Sequence, residues 1–446
     1  MANSTDTSPI SHLLSDLDLP HIEHHHILPL LEALKDDERI RLSHEGNSFE
    51  GRSITRITYG HGPIKILAWT QMHGNEATAT AAVFDLLDIL LRQTSELEAP
   101  EGLFTLHVVP MLNPDGAQRC IRHNAQAIDI NRDAMAKQTL EGTILMRLVD
   151  EIQPDIAFNL HDQSPYYQAG TTGMASTIAF LAPAYDIDKN IDDSRKLAIT
   201  LIGAMTRAIE STLKNAIARY DDTFSPRSFG DRIAGKGAAT ILIESGAAAN
   251  DPNRQIARRM NVKAMLAAFL HMQRQHKNQV NEQEVAALCE RYWAIPENVS
   301  EALSSLVIRD LRFVGRHSYQ ASISIKQTAR YSNQYFIDAV GDLGIQAGLE
   351  EFDASELSFD SGTVHTLNSH TILTNESFID WLKQGVIQFQ GEIQDFDNQS
   401  DHQILLNQPL NASPQALVLQ QPAYFLMRKG DEVIAAVVNG QLLRLA

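Results

Sequence analysis

An α/β fold is what the sequence predicts: a mixed, mostly parallel sheet with helices on both faces, followed by a smaller β-rich C-terminal domain. Two patterns and one bound carry this. From residue 53 to residue 276, short apolar strand-like runs alternate with helix-length segments, the order that builds a sheet covered on both sides. Beyond residue 284 the runs become short and β-branched, and are separated by Asn, Asp, Ser and Gly. With 446 residues, 43% of them hydrophobic and 21% charged, the chain is long enough for two or three domains and ordered rather than disordered by composition.

The first 50 residues are polar and read as an N-terminal extension. They contain His24, His25 and His26, with His21 and Glu23 beside them. His-rich tracts can bind metal, but no sequence feature closes a coordination shell here, so the cluster reads as a solvated helix face or turn. A first domain spans 51–276. Its residues 53–58 and 64–70 read as neighbouring strands joined by a turn at Gly60-His61-Gly62. Residues 77–91, rich in Ala, Leu and Ile, form a mostly buried helix. A strand at 105–111, a helix at 143–152 ending before Pro154, and a strand at 156–160 follow. A long helix at 194–217, a strand at 239–243 and a helix at 254–276 complete it. The polar stretch 276–284 reads as the linker to a β-rich domain at 284–446. That domain contains one helix, 376–384, and ends in a three-stranded meander, with Gly430-Asp431 and Asn439-Gly440 as its two turns.

The formal net charge of −18 argues against polyanionic partners, so neither nucleic acid nor an anionic membrane surface is expected. Cys120 and Cys289 are far apart and outside any CxxC pattern, which fits a reducing compartment. There is no basic start followed by an apolar run and no apolar stretch of spanning length. The expected location is the cytoplasm.

The stretch Gln71-Met72-His73-Gly74-Asn75-Glu76 follows an apolar strand and places an imidazole and a carboxylate three residues apart. His161 ends the apolar run 156–160, a costly place for a polar ring without a partner. Glu244 ends the run 239–243 in the same way. If each stands at the carboxyl end of its strand, all of them share one mouth of the sheet, where open α/β sheets carry their sites. Two His and one carboxylate are the protein ligands of a catalytic zinc, and a further carboxylate can act as base on a water. The pattern implies a metal-dependent hydrolase.

With Asn113-Pro114-Asp115-Gly116 and the string from Arg122 to Arg132 added, the motifs HGNE, NPDG, R-x-N-A…D-x-N-R, N-L-H and I-E-S-G stand in order. In that order the chain resembles the zinc carboxypeptidase superfamily, the family of carboxypeptidase A, over residues 53 to about 275. The resemblance implies that the 51–276 domain is catalytic and holds one Zn2+. It implies His73, Glu76 and His161 as metal ligands, Glu244 as general base and acid, and Arg122 as the group that stabilises the oxyanion. Asn131 and Arg132 would hold the substrate's free carboxylate, and Asp129 would fix the tautomer of His73. The family also places a tyrosine shortly before the base. Tyr220 is the candidate, with Phe224 in the same stretch and helix-end packing as its alternative. Tyr166 and Tyr167 follow His161 and line the pocket or cap it, while Arg227 and Arg232 lie where the specificity pocket should form, with reception of an acidic side chain as one reading and a solvated loop as the favoured one.

Two activities share these motifs. The first is a metallocarboxypeptidase, which removes the C-terminal residue of a peptide. The second is an N-acyl amino acid amidohydrolase of the succinylglutamate desuccinylase and aspartoacylase branch, which also carries a β-rich C-terminal domain. NPDG and I-E-S-G favour the first. A catalytically dead binding module would lack a ligand or the base, and neither is missing.

Overall fold

The computed structural model describes residues 13–328, 332–367, 370–408 and 417–445; the first twelve residues of the expected extension lie outside the described residues. The chain divides into two compact units, Met1–Ser300 and Glu301–Ala446.

The first unit opens with α1 (His24–Ala33), the strands β1 (Ile40–Asn47), β2 (Ser53–Tyr59) and β3 (Ile64–Trp69), and α2 (Thr78–Arg92). Then come α3 (Pro100–Leu103), β4 (Phe104–Val109), α4 (Pro114–Gln118), α5 (Leu140–Ile152) and β5 (Ile156–Asp162). The short β6 (Gln168–Ala169), β7 (Ile178–Leu181), α6 (Asp193–Ile209), β8 (Ile217–Arg219), α7 (Phe229–Ala234) and β9 (Ala239–Ser245) follow. The unit closes with α8 (Gln255–His276), α9 (Glu282–Trp293) and β10 (Asn298–Val299).

Eight strands form one mixed sheet in the order β1-β2-β4-β3-β5-β9-β7-β8. Its four central strands, β4, β3, β5 and β9, are parallel. One face packs on α1, α2, α6 and α8 through Ile66, Phe158, Leu160, Leu87 and Phe269. The other packs on α5 and α7 through Leu67, Trp69, Leu145, Phe229 and Ile233. With both faces covered, β5 and β9 are buried at every position, as parallel strands in such sheets are.

Two sequence expectations are corrected here. The strands β2 and β3 are not neighbours, because β4 lies between them, antiparallel to β2 and parallel to β3. The Gly60-His61-Gly62 segment bridges the start of β4 instead of making a hairpin: His61 N donates to Glu101 O at 2.8 Å and Gly62 N to Phe104 O at 3.1 Å. The expected helix 194–217 ends at Ile209. Asn215 adopts φ +61, and the β-branched Ile217 begins β8, which pairs with β7.

Residues placed in the extension also enter the sheet, since β1 pairs with β2 from Ile40 to Asn47. The polar stretch near 276–284 joins α8 to α9 inside the first unit. Through the buried Tyr292, α9 shares the core with α6 and α8, so the division between units falls after Ser300.

The second unit is β-rich. It contains β11 (Leu303–Phe313), β12 (Tyr319–Gln327), β13 (Tyr335–Gly341), β14 (Ala347–Asp353), β15 (Ser358–Asp360), β16 (Thr363–Thr366) and β17 (Thr371–Leu373). Its helix α10 (Asn375–Lys383) precedes β18 (Val386–Gln390), β19 (Phe396–Asn398), β20 (Leu405–Leu406), β21 (Phe425–Lys429), β22 (Glu432–Val438) and β23 (Gln441–Arg444). The expected terminal meander is present as β21, β22 and β23, antiparallel in sequence order. Among the described residues no helix is long and apolar enough to cross a membrane.

Candidate metal centre

The centre is built at the carboxyl ends of β3, β5 and β9. After β3 the chain turns through Gln71, at φ +46, and delivers His73 and Glu76 just before α2. Gly74 makes the turn possible, because a Cβ there would stand 1.9 Å from the carbonyl carbon of Gly116. That contact joins the HGNE and NPDG segments. Asn113 reinforces it, accepting from Gly116 N at 2.9 Å and donating through Nδ2 to Met72 O at 3.2 Å. Gly246, after β9, is confined in the same way: a Cβ there would lie 1.8 Å from Ser176 O.

His73, Glu76 and His161 converge and are buried; one ligand atom from each lies within 4.8 Å of the others. His73 Nδ1 is 2.9 Å from Glu76 Oε1, and His161 Nδ1 is 2.7 Å from Glu76 Oε2. The two Nδ1 atoms are 3.2 Å apart. Burial alone would raise the Glu76 carboxyl, but the two imidazoles hold it well below the usual carboxylate range. Two imidazole nitrogens and a carboxylate, gathered at one buried point, fit the zinc donor set.

Asp129 supports this cluster from behind. Its Oδ1 is 3.1 Å from His73 Nε2 and accepts from Asn131 N at 2.9 Å. With Nε2 turned to the carboxylate, Nδ1 is the atom left to face the cluster. Arg122 grips the other oxygen of Asp129 through Nε and Nη2, at 3.1 and 3.0 Å. Its Nη1 reaches to 3.2 Å from His73 Nδ1 and 3.5 Å from Glu76 Oε1. Burial works to raise Asp129, yet His73 and Arg122 hold it low.

Glu244 is the register partner of His161 on the adjacent parallel strand, so both side chains leave the same face of the sheet. Asn131 and Arg132 lie in a short turn at Ile130–Arg132. Asn131 Oδ1 accepts from Phe229 N at 2.9 Å, and Arg132 Nη1 donates to Ser228 Oγ at 3.2 Å. Arg132 is exposed.

Tyr220 follows β8 and so does not end a helix. Its hydroxyl is 3.5 Å from that of Tyr167. Burial, then the nearby Glu244 carboxylate and Tyr167, push the Tyr220 phenol upward. Phe224 lies in the same connection, half-buried. Arg227 and Arg232 are both exposed, and Arg227 Nε donates to Arg132 O at 3.2 Å. Tyr167 reads in the sequence as lining or capping the pocket, and its approach to Tyr220 is not readable there. Ser228 has no sequence signal, because its link to Arg132 spans 96 residues.

Residues 27–150 match a family model described as zinc carboxypeptidase. The match includes His73, Glu76 and the Arg122–Arg132 string; His161 and Glu244 lie beyond it. No curated protein matches the chain. Among solved structures, a metallo-carboxypeptidase from Burkholderia cenocepacia is similar at 18% identity over 57% of this chain and 70% of that one, with a TM-score of 0.48. A metallo-carboxypeptidase from Pseudomonas aeruginosa, in complex with (2-guanidinoethylmercapto)succinic acid, is similar at 17% over 56% and 69%, with a TM-score of 0.45. Carboxypeptidase A from Helicoverpa armigera is similar at 16% over 59% and 77%, with a TM-score of 0.44.

Proposed function

We propose that this chain, which resembles the zinc carboxypeptidases over residues 27–150, is a metallopeptidase and, more narrowly, a metallocarboxypeptidase that hydrolyses the C-terminal peptide bond. The observation that carries the proposal is the convergence of His73, Glu76 and His161 with Glu244 beside them on the same face. These three ligands would hold one Zn2+, whose chemistry is to activate a water and polarise the scissile carbonyl.

The remaining roles belong to side chains of this chain. Glu244 takes the proton of the attacking water and passes it to the leaving amine. Arg122, held in place by Asp129, presents its Nη1 edge to the developing oxyanion as preorganised positive charge. Asp129 orients His73 through Nε2. The exposed fork of Arg132, with Asn131 beside it, receives the substrate's terminal carboxylate; a guanidinium can bind it by two parallel hydrogen bonds. Tyr220 offers a hydroxyl to the bound peptide. The substrate is therefore a peptide with a free C-terminus. The two cysteines, without a CxxC pattern, support a cytoplasmic location.

The second reading, an N-acyl amino acid amidohydrolase, is favoured by the β-rich second unit. One experiment separates the two: purified protein with added zinc, given matched peptides that end in a free carboxylate or an amide. Cleavage confined to the free form is expected. Equal cleavage of both forms defeats the carboxypeptidase reading, and turnover of N-acyl amino acids without peptide cleavage replaces it with the second. Chelation abolishes activity under either reading.

A further inference from the structure

Asn159 is a polar residue in the interior of β5, a strand buried at every position. It is only 1% exposed, and its Oδ1 has no hydrogen-bond partner among the described residues. Two positions before His161, it shares that residue's face of the sheet. Its register partner on β3 is Trp69, fully buried, whose Nε1 is likewise without a partner. An acceptor and a donor thus lie unpaired on adjacent strands, on the face that carries His161 and Glu244. Buried polar groups are nearly always hydrogen-bonded, and one left unpaired calls for an explanation.

The surroundings supply one. Asn131, in the turn assigned to the substrate carboxylate, accepts from Phe229 N. The next residue is Gly230, where a Cβ would lie 3.3 Å from Asn159 Nδ2 and 3.5 Å from Pro183 Cγ. Asn159 is therefore one residue's reach from the carboxylate turn and on the same side of the sheet as the metal centre. On the carboxypeptidase reading, the part of a substrate nearest to this position would be the side chain of its terminal residue.

We propose that Asn159 recognises that side chain, with Trp69 Nε1 as a second contact, and that the enzyme prefers peptides ending in a neutral hydrogen-bonding residue such as Gln or Asn. The inference rests on the carboxypeptidase reading and deepens it. An apolar side chain would leave both buried groups unpaired, whereas a carboxamide offers a donor and an acceptor together. Sites of this kind reject the analogue that lacks the polar group.

The test uses the full chain with zinc and peptides that differ only in their last residue, Gln against Met and Asn against Leu. The wild type is expected to favour the polar member of each pair by about tenfold or more in kcat/KM. Asn159→Leu is expected to bring that ratio to one or below without changing bound zinc. A wild-type ratio of one or less overturns the inference, as does an unchanged ratio in the variant; both leave the carboxypeptidase reading standing. If Asn159→Leu does not fold, Asn159→Asp keeps the shape and is expected to shift preference toward Lys and Arg; no shift overturns the inference. If no peptide is cleaved at all, the carboxypeptidase reading fails and the inference fails with it.

Discussion

The central strands of the first unit and the edge strands of the second handle polar residues in opposite ways. In β5 and β9 every position is buried. In β13 one of seven positions is buried, and in β14 none. A polar residue on a half-exposed strand is solvated and carries no message. A polar residue on a strand covered on both faces must find a partner or serve a ligand. The buried charged groups follow this division. All those described are in the first unit, His73, Glu76, Asp85, His161, Glu244 and Arg258 among them, while the buried polar residues described in the second are Ser304, Ser322, Ser324, Gln388 and Asn439.

The contrast is tested most severely at Glu244. Glu244→Gln keeps the shape and removes the proposed base, so kcat/KM for peptide cleavage should fall by about 10²–10⁴-fold. Zinc content, measured on the same sample, should be unchanged. Activity within tenfold of wild type would mean that this buried carboxylate has no catalytic task.

Next in size is the buried pair Arg258–Asp85, at 2.6 and 2.8 Å with both side chains 1% exposed. The same two residues hold the backbone of Leu14. Arg258→Met leaves the carboxylate alone and should cost roughly 3–5 kcal/mol of unfolding free energy in urea titrations. Replacing Asp85 with Leu as well should recover most of the loss. A single variant as stable as wild type would break the claim that charges in this unit depend on their partners.

A smaller effect comes from His107 on β4, which sits 3.1 Å from Thr58 Oγ1. Burial, then the charges of Arg56, Arg41 and Lys65, lower its pKa from 6.5 to about 4. The folded protein thus binds this proton less readily than the unfolded chain. The contribution is fully present above pH 6.5 and is lost as pH falls through about 4, at most roughly 3 kcal/mol. His107→Gln should flatten the stability-versus-pH curve across this window; parallel curves would refute the assignment.

The smallest change is expected in the second unit. Ile345 is fully exposed, so Ile345→Ser should alter stability by no more than about 0.5 kcal/mol and leave peptide cleavage unchanged. A larger loss would show that this surface is covered in solution.

Much of the candidate site, as a set of residues brought together, was legible from residue order. His161 and Glu244 each close an apolar run, where a polar side chain is most conspicuous, and His73 and Glu76 follow a third such run within one short turn. Asp129 and Arg122 were legible through the family motifs and stand at hydrogen-bond distance from His73. The position of Tyr220 was not. Its approach to Tyr167 depends on where β8 begins, and the helical pattern through 194–217 hid the break at Asn215. The place of β4 between β2 and β3 was equally hidden, because strand order is set by how the connections pack and not by adjacency along the chain.

By itself the sequence determined the periodicities, hence the two fold classes in series, the terminal meander, and the residue types able to hold a divalent metal. These depend on local spacing, which is written in residue order. Only the tertiary structure decided which strands are neighbours, which nitrogen of each imidazole faces Glu76, and that Ser228 meets Arg132. It also placed Asn159 beside Trp69, with neither polar atom satisfied. These facts arise from contacts between residues tens to hundreds of positions apart, where register and packing, not spacing, bring side chains together.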